Sequence, residues 1–587
     1  LELKNLNLIL SNMNNNQIIA KIFNEIADAL EFLGDNPFKI RAYRTAANVI
    51  EGLVEDISVY IQRNEKIYGI GEDLKEKIIE FLKTGKIRKH EELLSKIPKG
   101  IFEIMNIPYV GPKTAKLLYE HFGVDSIEKL KNVLETGALL KIKGFGLKKI
   151  ENIKKGLELY QKLSQRFPIG EVYNDIMNFK NYLSSIEGVE KIEIAGSFRR
   201  FKETVGDIDI LILSKRDVSD DILKHPRIKE VLAKGETKIS FLYELSNNKL
   251  IQIDIRIVDE KSWGSALMYF TGSKEHNIQM RDLAIEKGYK LNEYGLFKDE
   301  IYIAGRSEEE VFEKLSIQYI PPEIREARGE IELAKQFKIP KLIDFNDIKG
   351  DLQVHSRYSD GVMDFWEIEA EALKMNYEYV AITDHSRSLK VAGGMDIEDL
   401  IKRNEEIKKF NRNSRVKLLI SAEVEILNDG SLDYPDEILK NLDIVLASIH
   451  NVKKDEDITQ RYLKAMDNPY VDIIAHPTGR LVLSREPYKL NLDELFKKAS
   501  ERKIILEINA HYNRLDLNDI NILKAKQYGV KFSIGTDAHN RSGFYMIIFG
   551  VKMARKGLLT KDDIINTLSL NELLEYIKFC REHRLKI

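Results

Sequence analysis

Residues 196–213 read GSFRRFKETVGDIDILIL, and the end of this stretch decides how the rest of the chain is read. Ile208, Ile210, Leu211, Ile212 and Leu213 predict a buried strand, yet Asp207 and Asp209 stand two residues apart within it. Side chains at i and i+2 of a strand share a face, so two carboxylates are held side by side at the edge of an apolar sheet. Like charges that close repel and lose hydration unless cations bridge them. A divalent metal resolves the conflict, and Mg²⁺ in particular takes one or two carboxylates plus substrate phosphates. Just upstream, Gly196 and Ser197 form a turn ahead of Arg199 and Arg200, where backbone N–H groups and a guanidinium can hold polyphosphate. Metal plus a triphosphate clamp is the machinery of nucleotidyl transfer. Taken alone, Asp-x-Asp also describes a solvated strand end, and paired arginines an ordinary surface.

Two later segments weigh against that plainer account. Residues 250–257, LIQIDIRI, again place one carboxylate, Asp254, in an alternating apolar run. Residues 269–273, YFTGS, form a tight turn that opens a helix-like stretch. Three convergent carboxylates fit a two-metal arrangement with ions roughly 3.5–4 Å apart.

Together these segments resemble the family X DNA polymerases, of which DNA polymerase beta is a well-known type. GSFRR, VGDIDIL, the Asp-x-Arg strand and YFTGS followed by Asn277 and Arg281 occur in that order. The resemblance implies that Asp207 and Asp209 bind both Mg²⁺ ions, and that Asp254 binds the catalytic one and helps activate a primer 3′-OH. It implies that Gly196, Ser197, Arg200 and Gly206 hold the triphosphate of a dNTP. Tyr269, Phe270 and Gly272 would shape the sugar pocket, while Asn277 and Arg281 would probe the minor groove of the nascent pair. Val205 departs from the family by standing where a Ser often meets phosphate. Gln252 departs too, standing where polymerase beta has an Arg. Neither change removes a metal ligand.

Upstream, residues 67–85, 107–118 and 142–150 share one pattern: an apolar residue, a Gly turn, then a helix start. Gly69 and Gly71 mark the first copy, Gly111 and Lys113 the second, Gly144 and Gly146 the third. A Gly turn at a helix N-terminus leaves N–H groups free for a DNA phosphate. The pattern resembles the helix-hairpin-helix element, which grips backbone without reading sequence. One such turn is common in ordinary loops; three ahead of a polymerase-like block form an argument. Tyr109 replaces the first Gly of the second copy. The polymerase beta resemblance also implies a deoxyribose-phosphate lyase, with Lys77 as Schiff-base nucleophile and Lys39 and Arg44 near a 5′-phosphate. Against it, Asp73 stands where lyase members carry a second Lys, and a Lys on a helix is otherwise a plain surface charge.

At 587 residues the chain is too long for one core, and its length suggests about three to five domains. The net charge of −2 hides segregation, since basic residues crowd 141–166 and acidic ones loops such as 396–399. Local basic stripes suit nucleic-acid binding. A single Cys, Cys580, excludes a disulfide framework and a Cys-rich zinc site. No apolar run reaches membrane-spanning length and no signal-peptide pattern opens the chain, so a cytoplasmic protein without a membrane partner is expected. A monomer is the expectation carried by the family resemblance.

After residues 320–323, IPPE, a charged helix-like linker is expected over 324–337. Strand-like runs then alternate with amphipathic helices: 380–383, 418–426, 444–449, 471–475, 504–508 and 531–534. That alternation predicts a parallel α/β barrel, where active residues gather at strand C-terminal ends. The residues there are His355, Asp360, Asp384, His385, Glu423, His450, His476, Asp537 and His539. Imidazole mixed with carboxylate suits Zn²⁺, Mn²⁺ or Fe²⁺. These residues resemble a PHP (polymerase and histidinol phosphatase) domain, found at the C-terminus of many bacterial and archaeal family X polymerases. That resemblance implies up to three ions, Mn²⁺ or Zn²⁺, held by His355, Asp360, His385, Glu423, His450, His476, Asp537 and His539. The family opens its site with His-x-His; this chain has Gln353, whose neutral amide oxygen is a poorer ligand for a borderline-soft ion. His511 and Arg514 follow a strand and either contact substrate phosphate or lie on the surface.

The expected layout is multidomain, α+β followed by α/β. It runs from an extension (1–12) through two helical helix-hairpin-helix domains (13–90 and 91–165) to a nucleotidyltransferase palm (166–260). A nucleotide-selecting subdomain (261–322), a linker (323–347) and a distorted (β/α)7 PHP barrel (348–587) follow. The function expected is a gap-filling DNA polymerase for repair, acting on gapped or primer-template DNA, with a 3′–5′ exonuclease or phosphoesterase in the barrel. A barrel reduced to a structural or DNA-binding module and a template-independent transferase are the alternatives.

Overall fold

The computed structural model describes residues 15–586 except 52–56, 64–69, 99, 106, 108, 137, 143–144, 164–165 and 454–455. The expected extension and the glycines Gly69 and Gly144 therefore lie outside the described residues. Helices Asn15–Leu33, Pro37–Glu51, Glu72–Thr84, Pro112–Phe122, Ile127–Glu135 and Leu147–Leu163 make up much of the N-terminal part. Phe23, Ile26, Ile78, Ile101, Leu118, Leu130 and Ile153 belong to one continuous core there, so the stretches 13–90 and 91–165 share it.

Gly71 and Gly111 precede their helices at φ −81 and −84. At both, and at Gly146, a Cβ would meet nothing within 4 Å. Neither backbone angle nor internal packing demands glycine at these places. What the missing side chains leave is room to approach a helix N-terminus. Tyr109, at the position where the flanking copies have glycine, holds φ +70, a left-handed conformation costly for a side chain with a Cβ.

The palm is a five-stranded sheet of β1 (Val189–Ile194), β2 (Asp207–Ser214), β3 (Ile228–Lys234), β4 (Lys238–Glu244) and β5 (Leu250–Val258). Their order is β1-β2-β5-β4-β3, with β2 and β5 parallel and the other neighbours antiparallel. Ile208, Ile210 and Ile212 join Ile253, Ile255 and residues of helix Ile169–Ser184 in one core. Leu211 and Leu213 meet Trp263 and Ala266 on the opposite face. The strand's period of two thus sets Asp207 and Asp209 on the Trp263 side. Helices Trp263–Thr271 and Lys274–Glu286 and the antiparallel β6 (Lys290–Asn292), β7 (Gly295–Lys298) and β8 (Ile301–Ala304) follow.

Seven parallel strands complete the chain: β9 (Gly350–Val354), β10 (Tyr379–Ile382), β11 (Lys417–Glu425), β12 (Ile444–Ser448), β13 (Ile473–Ile474), β14 (Ile505–Asn509) and β15 (Phe532–Gly535). They neighbour one another in chain order, and a parallel bridge between Val354 and Ala538 nearly closes the barrel. Leu573 and Ile577 of the C-terminal helix Leu570–Lys586 pack with Leu352, Tyr379, Leu446 and Ile505.

The stretch 323–347 does not run free as the expected linker. Glu323, Ile324, Arg325, Glu330, Ile331, Ala334, Ile339, Leu342 and Ile343 are buried, and α-helix is confined to Glu330–Lys335, with short 3-10 turns at Pro322–Ile324 and Phe345–Asp347. Four of the charges that suggest a solvated segment are matched by partners outside it. Glu323 meets Lys552 and Arg555, Arg325 meets Glu308, Arg328 meets Asp519, and Glu330 meets His276. Composition alone could not show those distant partners. Palm and barrel also share one apolar cluster, in which Phe549 packs edge-on against Tyr173 and lies close to Phe201 and Tyr512. Gly170 is required at this seam, because a Cβ there would fall 2.2 Å from the Tyr512 ring.

Candidate active sites

In the palm, parallel register sets Asp209 directly across from Asp254 and Asp207 across from Gln252. Burial raises the pKa of Asp209 to about 7, reinforced by the neighbouring Asp207 and Asp254 carboxylates. Burial and Asp254 raise that of Asp207 as well. Carboxylates set this way are expensive to ionise without counter-charge, which is what a divalent cation provides. The donor set of three carboxylates fits Mg²⁺. Asp254 Oδ1 accepts from Ser240 Oγ at 2.5 Å and from Gln252 Nε2 at 2.9 Å. Gln252 thus takes up a positioning contact where the family resemblance led one to expect an arginine. Val205 is buried in the core.

Gly196 has φ +59, and a Cβ on it would stand 2.3 Å from Asp209 Oδ2. Glycine is obligatory there on both counts. Ser197 is half-buried in the short helix Gly196–Arg199, and Gly206 is likewise half-buried just before β2. The two arginines divide. Arg199 is bidentate to Glu308 at 2.7 and 2.8 Å and bonds Thr271 Oγ1. Arg200 donates to the Thr271 carbonyl at 2.5 Å and to Glu326 at 3.2 Å, lying 3.2 Å from where a Gly272 Cβ would be. The Arg256 guanidinium sits 5.1 Å from the centre of the Phe270 ring, which Tyr269 meets edge-on. Asn277 Nδ2 donates to the Tyr269 carbonyl at 2.6 Å, and Arg281 is exposed.

In the helical part, Lys77 and Lys39 line a cavity of about 450 Å³ with Tyr43 and Lys89. Lys77 Nζ is 2.7 Å from Asp73. Arg44 is not beside Lys39 there; it is committed to Asp28 and Glu31 at 2.8 and 2.7 Å. Sequence spacing brought Arg44 into the candidate phosphate contact, but both carboxylates lie one turn apart on the facing helix. Lys113 is exposed at the start of helix Pro112–Phe122.

The barrel gathers every ligand candidate at one end. Glu423, fully buried, is the hub. Its Oε1 faces His450 Nε2 at 3.4 Å and His476 Nε2 at 2.9 Å. Its Oε2 faces His355 Nε2 at 3.4 Å and His385 Nδ1 at 3.3 Å. Asp360 lies 3.6 Å from His385 and 3.2 Å from His539, and Asp537 lies 3.2 Å from His355. Two groups, His355–Asp360–His385–His539 and His385–Glu423–His450, bring donor atoms within 4.8 Å of one another. Burial works against ionising Glu423 and Asp537, yet the surrounding histidines hold both well below the usual carboxylate range. Against the same burial, Asp360 and Asp537 raise His539 to about 9.

The residues fit metal. Both ring nitrogens of His355 are buried without a hydrogen-bond partner, which is costly unless something else binds them. The mix of imidazole and carboxylate suits a borderline divalent ion. His476 and Asp537 hold left-handed backbone at φ +37 and +55, strain of the kind that persists at functional sites. Gln353, fully buried, hydrogen-bonds Glu423 and Asn509. Sequence reasoning missed Glu425, whose Oε2 lies 2.7 Å from His450 Nδ1; its i+2 spacing from Glu423 on β11 was the available signal. It also missed Glu507 and Asn509 on β14. Arg514 Nε is 3.4 Å from Asp537 Oδ2, and Asp537 and His539 act on the His511 ring electrostatically.

Comparison with known proteins finds five matching family models along the chain. Residues 14–87 match a helix-hairpin-helix domain and 102–158 a SAM-like helix-hairpin-helix tandem. Residues 166–268 match the DNA polymerase beta palm, 266–326 the DNA polymerase beta thumb and 351–511 the PHP domain. The DNA polymerase/3′-5′ exonuclease PolX of Bacillus subtilis is 37% identical over 570 residues, covering 95% of this chain and 99% of that protein. DNA polymerase lambda of Rattus norvegicus is 27% identical over 48% of each chain. A probable phosphatase of Thermoanaerobacter sp. is 30% identical over 35% of this chain and 85% of its own length.

Proposed function

The chain belongs to the family X DNA polymerases with a C-terminal PHP domain, and we propose that it fills short DNA gaps and trims 3′ ends. The observation that carries the first half is the parallel register of Asp209 with Asp254, which gathers three carboxylates over one point of the β2–β5 seam. The second half rests on the Glu423 hub and on the activity named for the Bacillus subtilis relative.

In the palm, Asp207, Asp209 and Asp254 would hold two Mg²⁺ ions. Asp254, fixed by Ser240 and Gln252, would take the proton of a primer 3′-OH. The Gly196 turn brings backbone close to Asp209, and Gly196, Ser197, Arg200 and Gly206 would hold the substrate triphosphate there. Tyr269, Phe270 and Gly272 would flank the sugar, with Asn277 and Arg281 toward the base pair. In the barrel, His355, Asp360, His385, Glu423, His450, His476, Asp537 and His539 would hold Mn²⁺ or Zn²⁺. Bound ions supply Lewis acidity and charge neutralisation at phosphorus in both sites. Arg514 and His511 stand beside Asp537 and could steer a substrate phosphate. Gly71, Gly111, Lys113 and Gly146 leave helix N-termini open to DNA backbone. Gapped or primer-template DNA and dNTPs are the substrates on this reading. Both donor sets lie within one chain, so a monomer suffices on this reading.

The cavity at Lys77 supports a secondary activity, Schiff-base cleavage of an abasic sugar. Its amine must first leave Asp73. Borohydride trapping on pre-incised abasic DNA would give a covalent adduct if Lys77 is the nucleophile.

The paired test is Asp209→Ala against His385→Ala on gapped DNA with Mg²⁺ and Mn²⁺. Extension should fall at least about 10²-fold in the first while 3′-end removal persists, and the reverse should hold in the second. Nuclease activity untouched by His385→Ala would reduce the barrel to a structural module.

A further inference from the structure

Gln353 stands on β9 where the family motif has histidine, and its surroundings contain two hydrogen-bonding mismatches. Asn509 Nδ2 lies 3.3 Å from Gln353 Oε1, 3.3 Å from Glu507 Oε2 and 3.2 Å from Asp537 Oδ2. An amide nitrogen carries two hydrogens and cannot serve three acceptors fully. Asn509 is not free to turn, because its Oδ1 accepts the His511 N–H at 3.1 Å. Glu507 supplies the second mismatch. It is 1% exposed, and its Oε1 has no hydrogen-bond partner. That oxygen shares a niche with Gln353. A Cβ on Gly535 would stand 2.3 Å from Glu507 Oε1, 2.7 Å from Gln353 Cβ and 3.1 Å from Gln353 Oε1.

Turning the Gln353 amide over relieves the crowding of acceptors at Asn509 and offers Glu507 Oε1 a donor, in exchange for the hydrogen bonds that Gln353 makes to Glu423 and accepts from Asn509; the two ends of such an amide are alike in shape. Its NH₂ then points into the niche of Glu507 Oε1, and Asn509 Nδ2 keeps two acceptors for two hydrogens. The amide oxygen now faces Glu423 Oε2, the atom from which Nε2 stands 3.2 Å away. His355 Nε2 is 3.4 Å from that same Glu423 oxygen and 3.2 Å from Asp537 Oδ1. Lone pairs from an amide, two carboxylates and a buried imidazole converge there, an arrangement that a bound cation satisfies.

Resting on the reading of the barrel as a metal site, we infer that Gln353 is a metal ligand through its amide oxygen, oriented by Glu507. The departure from histidine therefore changes the donor set rather than emptying a position. One imidazole nitrogen and three oxygens are harder than two nitrogens and two oxygens, which favours Mn²⁺ relative to Zn²⁺. Glu507 is a positioning residue, since it acts through the amide.

The experiment is equilibrium binding of Mn²⁺ alone and Zn²⁺ alone to the full chain, counted by metal analysis, with gap filling and the thermal melt as controls for folding. Ions held by the palm are common to all variants. Gln353→Leu should lose one Mn²⁺ or bind it at least ~10-fold more weakly, and Glu507→Met should weaken the same ion by about 10–100-fold. Gln353→His should raise the Zn²⁺ preference about 10-fold or more and make binding indifferent to Glu507→Met. Full Mn²⁺ stoichiometry and affinity in Gln353→Leu would overturn the inference. If that variant does not fold, an unchanged Zn²⁺/Mn²⁺ ratio in Gln353→His overturns it instead. A chain that binds the ion as expected but cuts no DNA sinks the nuclease reading and leaves the ligand assignment standing.

Discussion

Glu203 of the palm receives Arg480 of the barrel, Oε1 to Nη2 at 2.5 Å. Glu203 lies between Arg200 and Asp207, inside the loop that forms the polymerase-like site. Arg480 in turn donates through Nε to the Arg514 carbonyl at 2.9 Å, and Arg514 Nε reaches to 3.4 Å from Asp537. An unbroken set of contacts thus joins the two candidate sites. Spatial continuity is not coupling, which has to be measured.

A double-mutant cycle measures it. Glu203→Gln and Arg480→Met should each destabilise the chain by about 1–3 kcal/mol in urea, because each strands a largely buried charge. Their interaction energy should be at least about 1 kcal/mol. Arg480→Met should also lower 3′-end removal, since Arg514 loses its anchor beside Asp537. A cycle that closes within about 0.5 kcal/mol would mean the contact holds nothing in place.

A second bridge concerns nucleotide binding. Lys556, buried in the barrel, donates to the carbonyls of Arg200 and Glu323 at 3.2 Å each and lies 3.3 Å from Glu326. Glu326 is also the partner of Arg200. Lys556→Met should therefore loosen Arg200 and raise the dNTP KM by about 10-fold, or roughly 1.4 kcal/mol, with 3′-end removal unchanged. Steady-state kinetics of both reactions decide this. An unaltered KM would show that Thr271 and Glu326 alone suffice to hold Arg200.

Both bridges were illegible in the sequence, and the reason is physical. The period-two run around Asp207 and Asp209 and the alternation of strands and helices after Pro340 are local patterns, so sheet and barrel could be read from them, and the candidate ligands they pointed to lie together at the strand ends. The contacts of Glu203 with Arg480 and of Glu326 with Lys556 join residues more than two hundred positions apart. Charged residues at such separations look like ordinary solvated surface until the fold brings them together. The same blindness made the 323–347 stretch read as a linker. Glu507 escaped notice differently, as one acidic residue in an apolar strand with no second carboxylate at i+2 to mark it.

Acid should open the seam between the 323–347 stretch and the barrel. Burial opposes ionisation of Glu323, but Lys552 and Arg555 outweigh it and hold the carboxyl at about 2. With an unfolded value near 4.5, its contribution is full above that pH and is lost as pH falls toward 2. The shift corresponds to about 3 kcal/mol. The difference in urea stability between the wild type and Glu323→Gln should shrink over that window. A difference that stays constant between pH 5 and pH 3, in round numbers (about two units of acidification), would contradict the assignment.

Tyr109 tests the hairpin reading. Its φ of +70 is a conformation in which a Cβ costs about 1–3 kcal/mol, and at 63% exposure the ring contributes little packing to offset that. Tyr109→Gly relieves the strain but adds freedom to the unfolded chain worth about 0.5–1 kcal/mol. The net expectation is a gain of about 1 kcal/mol in chemical denaturation. The helix N-terminus behind Gly111 is untouched, so affinity for gapped DNA and its salt dependence should stay the same, as read by fluorescence anisotropy across a salt series. Weaker binding with an unchanged salt slope would mean instead that the Tyr109 ring stacks on DNA, and that strain at this position is retained for contact rather than tolerated.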